Sequence, residues 1–129
     1  MAQIKIYGDA DHLNGLKRQL SDTLHSCVVD TLELPAEKRF HRFILLPKSD
    51  FIYPDDRSEK YTIIEIDMFE GRAKETKKSL VRSIFERFDR ELKIRPQDVE
   101  VTIHESPKEN WGIRGLPADE LKLNYKIEK

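Results

Sequence analysis

Residues 4–51, moved along the chain by 60 positions, fall on residues 64–111 without a gap. Ile4 meets Ile64, Ile6 meets Ile66, Lys17 meets Lys77, Leu20 meets Leu80, Leu32 meets Leu92, and Pro47-Lys48 meets Pro107-Lys108. Those are seven identities in 48 positions, so the stronger signal is the shared apolar pattern: Leu24 with Ile84, Val28 with Phe88, Phe43 with Ile103, Phe51 with Trp111. A chain built from one unit used twice has few ways to fold. Each copy starts with a short β-branched stretch, continues with apolar residues at helical spacing, and closes with a second apolar stretch.

In the first copy the alternation over 3–7 predicts a strand, and Asp9 and Asp11 are candidate caps for the helix after it. The stripe Leu13, Leu16, Leu20, Leu24, Val28, Leu32 predicts a helix from Leu13 to about Leu32, and residues 39–46 a second strand. In the second copy a strand over 62–69 leads through Glu70-Gly71-Arg72 into a helix carrying Ala73, Leu80, Val81, Ile84, Phe88 and Leu92. Residues 98–105 then alternate as a fourth strand. The alternation of Leu121, Leu123, Tyr125 and Ile127 predicts a short C-terminal strand pairing with a neighbour.

The expected fold class is α+β. Two β-α-β repeats, at about 2–51 and 62–111, form one four-stranded sheet with both helices on one face, within a single domain over 1–129. Apolar content on both strand faces predicts that the other sheet face is buried by association. With 129 residues and a formal net charge of −1, the chain carries no electrostatic footprint for nucleic acid. No apolar run reaches bilayer length, and no signal-peptide pattern opens the sequence, so no membrane partner is expected. The single Cys27 fits a reducing cytoplasm and falls on an apolar helix face. No metal spacing, phosphate loop or Ser–His–Asp arrangement is present in the sequence.

Several residues in the second copy carry a family resemblance: Ile64-Glu65-Ile66, Glu70-Gly71-Arg72, Lys77, Leu80, Leu92, Val99, Val101, Ile103, Glu105 and Gly112-Ile113. With the spacing of Arg72, Leu92 and Trp111, this half resembles a subunit of 4-oxalocrotonate tautomerase. The whole chain resembles the fused members of the tautomerase superfamily, in particular the malonate semialdehyde decarboxylase-like branch. Tyr53-Pro54, Asp56-Arg57-Ser58 and Asn110-Trp111-Gly112-Ile113-Arg114-Gly115 carry that second likeness.

The resemblance implies a homotrimer and chemistry on small keto acids without metal or cofactor. It implies an N-terminal proline as base and an arginine at the strand–helix turn as carboxylate anchor. Arg72 stands at the arginine position, and Trp111 and Phe51 at aromatic wall positions. Ala2 and Thr62 stand at the proline position, Glu100 and Phe40 where tautomerases carry a second arginine, and Lys38 about where the decarboxylase carries an aspartate. His12 occupies the Arg72 position of the first copy.

The expected activity is tautomerisation of a small keto/enol carboxylic acid, with the Ala2 amine as base once Met1 is removed. Arg114 and Arg39 would add positive charge near the pocket, and His12 is a candidate acid or base. The alternatives are a non-catalytic small-carboxylate binding protein and a structural trimer with a vestigial pocket.

Overall fold

The computed structural model describes residues 2–121. The C-terminal strand expected from Leu121 onward lies, apart from that first residue, outside the described residues. The four main strands are β1 (Ala2–Asp9), β2 (Phe40–Leu46), β3 (Thr62–Phe69) and β4 (Val99–Ser106). They form one sheet in the order β2-β1-β3-β4. β1 is parallel to β2 and antiparallel to β3, and β3 is parallel to β4. The helices α2 (Lys17–Leu32) and α3 (Lys74–Leu92) make the two parallel crossovers and pack on each other.

The expected first helix is broken in two. A short α1 (Ala10–Leu13) precedes α2, and Asp9 caps it by accepting the Asp11 N–H at 2.8 Å. Asn14 and Gly15, poor helix formers, fill the gap. Both long helices end on a left-handed residue, Glu33 at φ 54° and Lys93 at φ 59°. These two are repeat mates, so the copies stop their helices in the same way.

The pairing of β1 with β3 sets the symmetry. Ile4 pairs with Ile66 and Ile6 with Ile64, so each residue faces the mate of another. Only Lys5 faces its own mate, Glu65. A pseudo-two-fold axis therefore passes through that pair, normal to the sheet, and the side chains meet there in a 3.5 Å ion pair.

Ile4, Ile6, Ile64, Ile66 and Met68 point toward the helices and are fully buried with Leu20, Leu24, Leu80, Ile84 and Phe88. The opposite face is more polar than the sequence pattern predicts. Gln3, Lys5, Tyr7, Glu65, Asp67, Arg42, Thr102 and His104 alternate out onto it, leaving Phe40, Ile44 and Ile63 as its main apolar residues. The reason is pleating. In the run Phe43-Ile44-Leu45-Leu46, Phe43 and Leu45 turn to the core, so a continuous apolar stretch contributes half of itself to each face. Tyr7 donates to Glu65 at 2.7 Å across this face, holding the Glu65 carboxyl below its ordinary range.

Candidate functional site at the start of the first strand

Four of the six candidate residues gather at one end of the sheet. Ala2 pairs with Met68, so the start of β1 lies beside the end of β3 and the turn after it. Gly71 in that turn has φ 123°, a backbone state that side chains disfavour, and it brings Arg72 back toward the strand. Arg72 is 5% exposed, and its Nη1 donates to the Phe69 carbonyl at 3.4 Å.

Trp111 stacks edge-to-face on Phe69 at 4.9 Å, and its carbonyl accepts the Ala118 N–H at 2.7 Å. It anchors the loop through packing. Arg114 sits at the tip of the hairpin formed by β5 (Gly112–Ile113) and β6 (Leu116–Pro117). Arg114 at φ 52° and Gly115 at φ 86° make the left-handed two-residue turn such hairpins favour, and Arg114 is exposed there.

Ala2 itself is 4% exposed, with its side chain among the core residues on the helix side. One residue further on, a cavity of about 310 Å³ opens, lined by Gln3, Arg39, Phe40, His41 and Arg42. The parallel register places Gln3 against Phe40 and Lys5 against Arg42, so this cavity wraps the start of the edge strand β2. Phe40, 40% exposed, supplies an apolar wall, and Arg39 and Arg42 supply two fixed positive charges.

His41 is held from behind. Its Nδ1 meets Ser21 Oγ at 2.8 Å, and its ring stands edge-on to His25 at 5.9 Å. Burial, reinforced by His25 and Arg39, lowers its pKa to about 4, so at neutral pH the imidazole is uncharged. Arg39 donates to Asp22 at 2.6 Å and to Ser21 at 3.3 Å. The sequence suggests Arg39 only as added positive charge. It does not suggest Gln3, His41 or Arg42, since nothing local in the chain signals that residues 3 and 39–42 meet.

The other two candidates lie at the opposite sheet end. The two-fold axis carries Arg72 onto the His12 position and Trp111 onto the Phe51 position, separated from Ala2 by the length of β1, about 23 Å. Phe51 stacks on Tyr61 at 5.6 Å and meets Tyr53 at 5.1 Å. Burial, with a hydrogen bond to Glu100, pushes the Tyr61 phenol up to about 12. His12 lines a separate cavity of about 210 Å³ with Asp9, Asp11, Lys48 and Glu59. A single pocket containing Ala2, Arg72, Trp111, Phe51, Arg114 and His12 therefore does not form within one chain. The repeat operation sends equivalent positions to opposite ends. Among the described residues no cluster of His, Cys, Asp and Glu can hold a metal ion, and no helix is long and apolar enough to cross a membrane.

This two-fold β-α-β sheet is the fold of the tautomerases. A fused 4-OT solved as an asymmetric trimer superposes with a TM-score of 0.80 at 24% identity, covering 91% of this chain and 96% of that one. The chain belongs to the Tautomerase_2 family, described as tautomerase enzymes, whose model matches residues 38–114. It is 28% identical to the probable tautomerase YusQ of Bacillus subtilis over 101 residues, 74% of this chain and 80% of that protein. It is 40% identical to the 2-hydroxymuconate tautomerase of Comamonas testosteroni over 57 residues, 44% of this chain and 90% of that protein. Its function is tautomerase-like.

Proposed function

We propose that this single tautomerase-like domain binds a small keto/enol carboxylic acid in the cavity at the start of β1 and β2. The observation that carries this reading is the pair Arg39 and Arg42 lining a cavity beside Gln3, next to Ala2. The Arg42 guanidinium suits a carboxylate, which accepts paired N–H donors, and Arg39, whose Nη1 is held by Asp22, adds its remaining N–H groups. Phe40 covers the apolar part of such a ligand, and the Gln3 amide donates to the enolate oxygen, where charge develops during proton transfer. The similarity to a 2-hydroxymuconate tautomerase, named for an enol acid, supports the same substrate class.

Arg72, the anchor expected from the turn, serves in this reading only if it leaves the Phe69 carbonyl. Trp111 holds the loop beside it. The base is the Ala2 amine in a chain processed to that residue, where a buried amine is shifted toward its neutral form. A second reading, a carboxylate-binding protein without catalysis, is favoured by the burial of Ala2 in the core. Assembly into trimers, as in the fused 4-OT, belongs to the proposal as well.

Phenylenolpyruvate ketonisation, with intact mass to establish the N-terminus, is the test. Arg42→Ala should lower kcat/KM by about 10- to 100-fold, the loss expected for one charge-assisted contact. Arg72→Ala should change it less. Activity insensitive to Arg39→Ala and Arg42→Ala would place the site elsewhere. Ligand binding by thermal shift without turnover would select the second reading.

A further inference from the structure

Ile52 is 92% exposed, by far the most exposed of the large hydrophobic residues among those described. Its neighbours are not exposed in this way. Phe51 and Tyr53 on either side pack against Tyr61, and that packing turns Ile52 outward. The segment is acidic as well as apolar, with Asp50 before the aromatic pair and Asp55 after Pro54, while Asp56 is already paired with Arg57. Its far end is fixed, because Ser58 N–H and Oγ both donate to Asp98, at 2.8 and 2.6 Å. The result is a hydrophobic tip on an anchored loop that carries Asp50 and Asp55 beside it.

A receptor of opposite character lies elsewhere on the same chain. A groove of about 300 Å³ runs between α3 and the edge strand β4, lined by Lys77, Lys78, Val81, Arg82 and Ile103. Val81 and Ile103 form its floor. Lys78 and Arg82 stand exposed on its rim, and Lys77 is tied to Glu105 at 2.8 Å. The repeat mate of this groove, between α2 and β2, replaces Val81 with Ser21 and adds Arg39, so the apolar floor is particular to the second copy. A chain's own tip does not occupy its own groove. The Ser58–Asp98 tie holds the loop at the start of β4, about 16 Å of strand away from Ile103.

We propose that Ile52 of one copy inserts into the Val81–Ile103 groove of the next copy. Asp55 would then face the Lys78 and Arg82 rim. Tip and groove are different surfaces, so the contact is head-to-tail and closes a ring when the rotation between copies permits it. A trimer has three tips and three grooves, all filled. The inference rests on the proposed assembly and names the surface that makes it.

Light scattering on a dilution series of the full chain tests both statements. The wild type should be an oligomer, and Ile52→Asp and Val81→Asp should each raise the dissociation concentration at least about tenfold with an unchanged circular dichroism spectrum. Asp55→Lys and Lys78→Glu should each weaken assembly, and the double reversal should restore it, which a folding defect would not do. A monomeric wild type overturns the assembly and the contact together. An oligomeric wild type unaffected by Ile52→Asp, with no rescue by the double reversal, overturns the contact alone. Assembly lost only on removing residues 122–129 assigns the groove to that segment and likewise overturns the contact.

Discussion

His41 carries its pH dependence in its surroundings. Its folded pKa of about 4 lies below the ordinary value of 6.5, because burial and nearby positive charge disfavour the imidazolium. Between those two values the unfolded chain binds a proton that the folded chain does not. Stability should therefore fall as pH drops from about 6.5 to about 4, by on the order of 1–2 kcal/mol after allowing for partial exposure. Urea unfolding at stepped pH should show this slope, and His41→Gln should remove it. Glu65 and Glu91 act in a different window. Hydrogen bonds from Tyr7 and Arg87 lower their pKa values, so their contribution is present above the ordinary carboxylate range and lost below it.

Gly8 is a second residue whose role depends on its neighbours. A Cβ there would lie 2.1 Å from Leu13 Cδ1 and 2.8 Å from Leu13 Cγ, and Leu13 is fully buried. Gly8→Ala should cost about 1–3 kcal/mol, measured by denaturant unfolding, because α1 must shift away from β1.

At the scale of elements, the helices show what repetition preserves. Both stop at a left-handed residue that is not glycine. Lys93→Gly should stabilise the fold by about 1 kcal/mol by relieving that conformation. The Lys93 carbonyl that accepts Lys60 Nζ at 3.1 Å is kept in the variant. The helix pair is also tied across its surface. Arg87 on α3 donates to Ser26 on α2 at 2.6 Å and to Glu91 at 2.7 Å. Because this network is partly exposed, Arg87→Ala should cost only about 0.5–1 kcal/mol in the same unfolding measurement.

The whole molecule places sequence equivalents apart. Repetition along the chain becomes rotation in space, so a residue and its mate are neighbours only near the axis at Lys5 and Glu65. Arg72 and Trp111 lie at the Ala2 end of the sheet, because the turn after β3 returns to the start of β1. His12 and Phe51 are grouped with them by sequence equivalence alone, and the rotation moves them to the other end. An active assembly would have to bring the two ends of different copies together to complete the full set. The dilution series and the assay on the same sample would then lose mass and activity at one concentration.

The sequence by itself determined the four main strands, the two long helices and their repeat, because β-branched alternation and a 3.6-residue apolar stripe are local properties of the chain. It also determined the family, through spacing within one copy. Only the tertiary structure decided which residues share a cavity. The parallel pairing of β1 with β2 brings Gln3 to Arg39 and Arg42, a contact between segments 36 or more positions apart that no local pattern encodes. The tertiary structure also decided where the Arg72 side chain lies, since its burial and its hydrogen bond to Phe69 depend on how the turn folds back onto β3.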